Sequence, residues 1–82
     1  MKTVTLGLLQ AAMSDDVQVT TATYVALAER AAKDGAQIIC LPEMYRSRYF
    51  CNEEAYEPFS LAEPLLGPSV QAFQEVALAF GV

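Results

Sequence analysis

Two short apolar runs, Val4 to Gln10 and Ile38 to Leu41, flank a single amphipathic stretch, and that order constrains the fold more than any other feature of the chain. The first run places Val4, Leu6 and Leu8 on one face and Thr5, Gly7 and Leu9 on the other. Both faces are apolar or small, the pattern of a parallel strand covered on two sides. Between the runs, a helix is predicted from roughly Val17 to Asp34. Its inward stripe is Thr21, Tyr24, Val25, Ala28, Ala31 and Ala32, at i, i+3, i+4 and i+7 spacing. Glu29, Arg30 and Lys33 occupy the other side, with Glu29 and Lys33 placed as a favourable i,i+4 pair. Ser14, Asp15 and Asp16 offer N-cap oxygens, and Gly35 is a natural C-terminal stop. The second strand is read from Gln37 to Glu43. Strand, helix, strand at this spacing predicts a βαβ unit, with adjacent parallel strands and a right-handed crossover.

From Met44 to Pro64 the periodicity breaks into a mixed segment carrying Tyr45, Tyr49, Phe50, Tyr56 and Phe59. Gly67-Pro68-Ser69 then punctuates the chain, with Ser69 read as N-cap of a second helix to about Phe80 and Val70, Phe73, Ala77 and Phe80 as its apolar stripe. Gly81 reads as the stop of that helix and Val82 as the first residue of a further strand. Two parallel strands have unpaired edges and cannot cover the apolar faces of two helices, so residues 1–82 are read as the N-terminal part of a single, larger α/β domain.

Composition narrows the chemistry. Hydrophobic residues make up 54% of the chain and charged residues 18%, enough apolar surface to fold. There is no histidine, so proton transfer falls to a carboxylate, thiol, phenol or lysine. The formal charge of −5, with scattered basic residues, gives no footprint for a phosphate backbone, and nucleic acid is not an expected partner. Cys40 and Cys51 are not in a CxxC spacing and are expected to be reduced. The N-terminus runs straight into the first strand with no signal-peptide pattern, and no apolar stretch approaches the roughly 20 residues of a membrane helix. A cytoplasmic location and no membrane partner are the expectations.

Glu43 is the foremost candidate for chemistry. It follows Ile38-Ile39-Cys40-Leu41-Pro42 at the carboxyl end of a parallel strand, where open α/β sheets place ligand crevices. Pro42 removes a ladder donor and holds Leu41 extended, so pairing ends and the chain can turn Glu43 away from the sheet. In an apolar surround such a carboxylate can serve as a general base; the alternative is a solvated loop carboxylate. Cys40 reads as a packed core thiol rather than a nucleophile, because nothing cationic is near it in sequence. Cys51 either faces a pocket or is a small packed side chain. The aromatic cluster either lines a ligand cavity or anchors the long loop. Arg46 and Arg48 either hold a substrate carboxylate or bridge to surface acids. Glu53, Glu54 and Glu57 form a solvated face or bias a site mouth towards cationic ligands.

Ile38-Ile39-Cys40-Leu41-Pro42-Glu43-Met44-Tyr45 resembles the "PE" strand motif of the carbon-nitrogen hydrolase (nitrilase) superfamily. Val4-Thr5-Leu6-Gly7-Leu8-Leu9-Gln10-Ala11 resembles that family's first strand, Lys33-Asp34-Gly35-Ala36 its approach to the second, and Ala62-Glu63-Pro64-Leu65-Leu66-Gly67-Pro68-Ser69 its segment before the next helix. Within the superfamily, Arg46-Ser47-Arg48-Tyr49-Phe50-Cys51 looks most like the N-carbamoylputrescine amidase branch. The resemblance implies a four-layer αββα sandwich and a Glu-Lys-Cys triad of which Glu43 is a member. Lys2, Lys33, Cys40 and Cys51 do not match the family's lysine and nucleophile positions, which lie further downstream. It further implies hydrolysis of a small ureido or amide substrate, such as an N-carbamoyl amine, an N-carbamoyl amino acid or an ω-amide. Tyr49, Phe50 and Cys51 would lie near the substrate; no metal or organic cofactor is implied, and homo-oligomerisation of the complete enzyme is. These 82 residues alone are expected to be inactive, and a natural product of this length would instead suggest a binding or dimerisation module.

Overall fold

The computed structural model describes residues 2–48 and 56–82. Its elements follow the order β1 (Leu6–Leu8), α1 (Val17–Lys33), β2 (Ile38–Cys40), a 3-10 turn (Glu57–Leu61) and α2 (Pro68–Phe80). The two strands pair in parallel with Leu6 opposite Ile38, Gly7 opposite Ile39 and Leu8 opposite Cys40. They are shorter than the apolar runs that encode them. Pairing nevertheless extends past the strands through Gln37 N–H to Thr5 C=O at 2.8 Å and Leu9 N–H to Cys40 C=O at 3.0 Å. The chain is thus an α/β segment built on a small parallel sheet, as the βαβ spacing predicts.

Helix α1 begins where the sequence supplies a cap. The Asp16 carboxylate accepts from the Gln18 and Val19 N–H groups at 2.8 and 3.3 Å, satisfying two of the donors a helix start leaves free. It ends at Asp34, after which Gly35 adopts φ 102°, a left-handed conformation that glycine takes without penalty. The other end of the molecule repeats the device: Gly81, at φ 68°, closes α2 with its N–H on Ala77 C=O at 2.9 Å.

Leu9, Tyr24, Ala28 and Val76 form the buried core. Gly7 lets β1 approach α1 closely, since a Cβ on it would stand 3.1 Å from the methyls of both Ala31 and Ala36. Tyr24 is fully buried, and its hydroxyl donates to Ala11 C=O at 3.2 Å while accepting from Ala11 N–H at 3.1 Å. An apolar ring therefore enters the core without stranding its polar end.

Several details differ from the helical stripes expected. Thr20, not Thr21, is the buried threonine of α1, because its Oγ1 closes the preceding loop through Ser14 N–H and C=O. Glu29 and Lys33 form no ion pair among the described residues; Arg30 pairs with Asp34, and the Lys33 ammonium lies 5.9 Å from the centre of the Phe80 ring. In α2 the buried residue is Val76, while Val70 and Phe80 stay near the surface, since the helix leans on α1 through its Phe73–Val76 side. Ser69 is not the N-cap: α2 starts at Pro68 with Gly67 as cap, the fixed proline φ suiting the first helical position.

The two faces of the sheet differ sharply. Gly7, Leu9, Ile39 and Leu41 turn towards the helices, whereas Val4, Leu6, Leu8, Ile38 and Cys40 are exposed, Leu8 to 76%. Cys40 is therefore a free, exposed thiol rather than the packed core thiol expected, because the register sets it beside Leu8 on the open face. Among the described residues no helix is long and apolar enough to cross a membrane.

Candidate functional site

The chain leaves β2 through Leu41 and Pro42 and turns over Glu43–Arg46. Glu43 is exposed at the carboxyl end of β2, where the strand pattern places it; the apolar surround that would favour a general base is not supplied by the described residues. The turn is held in an unusual conformation, with Met44 at φ 58° and no other non-glycine residue of the described chain at positive φ. Such a conformation costs on the order of 1–3 kcal/mol and persists where its surroundings impose it.

Two anchors follow Met44 directly. The Tyr45 ring stands edge-on to Tyr24 and to Phe73, at centroid separations of 5.6 and 5.5 Å. Each such pair contributes about 0.5–1.5 kcal/mol beyond area burial. This ring anchors the loop onto the body. Arg46 then donates from Nη1 to Leu61 C=O at 2.6 Å and places Nη2 3.5 Å from Glu63 Oε2.

Glu63 is the unforeseen member of the site. Its Oε1 accepts from the Ser69 N–H at 2.9 Å, in the first turn of α2. The carboxylate thereby serves the helix start that the Gly67 cap cannot serve with a side chain. Its Oε2 is buried without a hydrogen-bond partner among the described residues, leaving the Arg46 guanidinium as its charge neighbour. The Ser69 hydroxyl first, then the Ser69 N–H and the Arg46 charge, hold the Glu63 carboxyl below the usual carboxylate range against the opposing effect of desolvation. The side chain also folds against Gly67, where a Cβ would meet Pro64 C=O at 2.9 Å and the Glu63 Cβ and Cδ at 3.2 Å.

Of the other sequence candidates, Arg48 pairs with Asp15 in an exposed bridge, and Glu57 is exposed in the 3-10 turn. Tyr49, Phe50, Cys51, Glu53 and Glu54 lie outside the described residues. Both arginines thus face acids of this chain: Arg48 makes the surface bridge of the sequence reading, whereas Arg46 meets the half-buried Glu63. A cavity of about 180 Å³ lies between α1, β2 and α2, lined among others by Ile39, Leu41, Phe73 and Val82. Its wall is apolar, and Glu43 is not part of it. Among the described residues no three His, Cys, Asp or Glu side chains gather as a metal site would require.

Comparison with known proteins bears on this geometry. A family model described as carbon-nitrogen hydrolase matches residues 5–82. Among curated relatives, N-carbamoylputrescine amidase of Solanum tuberosum is 39% identical over 80 residues, covering 96% of this chain and 27% of the relative. The proteins of the same name from Solanum lycopersicum and Arabidopsis thaliana are 38% and 32% identical over the same coverage. The chain therefore spans about a quarter of the length of these relatives. No solved structure matches it.

Proposed function

The chain belongs to the carbon-nitrogen hydrolase family, and from that premise we propose that the whole protein hydrolyses an N-carbamoyl amine with Glu43 as its general base. One observation carries the reading: the family match spans Glu43, a carboxylate three residues beyond Cys40, the last residue of the parallel strand β2. In the proposed reaction Glu43 takes the proton of a cysteine thiol outside residues 1–82, and the thiolate attacks the ureido carbon. A lysine, also outside this segment, and backbone N–H groups stabilise the oxyanion. The first amine leaves with the proton that Glu43 took, giving a thiocarbamate on the cysteine. Water, deprotonated by Glu43, cleaves it to a carbamic acid that loses carbon dioxide and releases the second amine, so that N-carbamoylputrescine would give putrescine, carbon dioxide and ammonia. The exposed face of Val4, Leu6, Leu8, Ile38 and Cys40 is, on this reading, the inner face of a four-layer αββα sandwich whose second sheet lies beyond these residues. Residues 1–82 alone, holding one triad member, are inactive.

Substrate choice rests on relatives and on charge. The relatives share the name N-carbamoylputrescine amidase. An N-carbamoyl amino acid hydrolase or an ω-amidase must instead grip a substrate carboxylate, and Arg46 and Arg48, the nearest candidates in sequence, already face Glu63 and Asp15. Steady-state kinetics of the whole protein test the choice. We expect a higher kcat/KM for N-carbamoylputrescine than for N-carbamoyl amino acids or ω-amides; the reverse order, abolished by Arg48→Ala, would overturn it.

A further inference from the structure

We infer that Arg46 and Glu63 are positioning residues for Glu43, a clamp that fixes the turn carrying the base to the start of α2. This deepens the proposed function and rests on it. Glu43 lies between two fixed points. On one side is β2, held by its ladder to β1. On the other is Arg46, three residues on, held by Leu61 C=O and the Glu63 carboxylate. Between them Met44 is at φ 58°, a conformation that a methionine keeps only when both ends of its turn are held.

The clamp has depth as well as reach. Glu63 binds α2 through the Ser69 N–H, and α2 returns to the turn through Phe73 against Tyr45. The loop Arg46–Leu61–Glu63–Ser69–Phe73–Tyr45 therefore closes on itself around the residues that follow Glu43. Arg46 and Glu63 are both largely withdrawn from solvent, with side-chain exposures of 29% and 18%, whereas the Arg48–Asp15 bridge two residues further on is open, at 64% and 86%. An exposed pair has little hold on geometry, but the half-buried Glu63, whose enclosed Oε2 faces the Arg46 guanidinium, must move or find water when that partner is lost. Gly67 leaves the space in which Glu63 folds. Misplacing a catalytic group by about 1 Å can cost on the order of 10²-fold in rate without touching substrate binding.

Kinetics of the whole protein with N-carbamoylputrescine test the clamp. Glu63→Gln and Arg46→Met are each expected to lower kcat about 10- to 100-fold with KM within about twofold. The double variant should be no more than about threefold worse than the worse single, because the two residues act as one unit. Hydrogen exchange in a peptide spanning residues 41–48 should speed up in both, and Arg48→Met should leave kcat within about twofold. If Glu63→Gln does not fold, Arg46→Met decides alone. Should Glu43→Gln abolish activity while the clamp variants keep kcat within twofold, or raise KM alone, the positioning role is wrong and the base assignment stands. Should Glu43→Gln remain active, or the wild-type protein hydrolyse no carbon-nitrogen substrate, the proposed function fails and the inference falls with it.

Discussion

The two faces of the β1–β2 sheet carry similar side chains and meet different surroundings. On the inner face, Gly7, Leu9, Ile39 and Leu41 pack beneath α1 and α2, and a single added methyl at Gly7 would press on two alanines at 3.1 Å. On the outer face, Leu6, Leu8 and Ile38 are more than half exposed. An apolar residue gains roughly 25 cal/mol per Å² only when something covers it. The sequence of a strand thus specifies which side chains can be buried, while the elements packed on each face decide which are. The same difference separates the two arginines of the following segment: Arg46 is drawn into the body by Glu63, and Arg48 is left at the surface with Asp15.

The contrast can be broken most forcefully from inside. Tyr24→Ala in the whole protein should cost about 3–5 kcal/mol, the range for emptying a buried aromatic site. Tyr24→Phe should cost less, about 1–3 kcal/mol, by stranding the Ala11 N–H and C=O groups that its hydroxyl serves. Urea midpoints at constant m-value measure both. Leu8→Ala then asks whether the outer face is covered in the whole protein. A second sheet over it predicts a loss of about 2–5 kcal/mol and slow reaction of Cys40 with a thiol reagent; a face left open predicts a change within about 0.5 kcal/mol and rapid labelling. Gly7→Val, on the packed face, should cost about 1–3 kcal/mol through overpacking against Ala31 and Ala36.

The smallest effect belongs to Glu63 and depends on pH. Its folded-state carboxyl titrates below the ordinary value of 4.5. The stabilisation it brings is therefore fully present above the unfolded value and is lost as pH falls through the folded one. The stability difference between wild type and Glu63→Gln should be constant above about pH 5.5 and shrink as the solution is acidified below about pH 4.5. A difference that grew on acidification would reverse the sign of the assignment.

Much of this architecture is legible in the chain because its causes are local. The Asp16 cap, the left-handed stops at Gly35 and Gly81, the parallel pairing and the place of Glu43 at the end of β2 each follow from a few neighbouring residues. What escapes is set by contacts between distant segments. Thr20 is chosen over Thr21 by a hydrogen bond to Ser14 across the loop, and Cys40 is exposed because the register sets it beside Leu8. Glu63 meets Arg46 across the mixed segment, with no periodicity to announce the pairing. A carboxylate shortly before a Gly-Pro helix start, with no acidic residue in the helix's own first turn, is the one local sign of its role.

The general-base role of Glu43 is tested most directly by comparing kcat/KM of wild type and Glu43→Gln in the whole protein with N-carbamoylputrescine. Gln keeps the size of the side chain and removes its capacity to accept a proton. The account predicts a fall of about 10²- to 10⁴-fold, the range for loss of a general base. A variant within about tenfold of wild type, a change of no more than roughly 1.4 kcal/mol in the barrier, would contradict it.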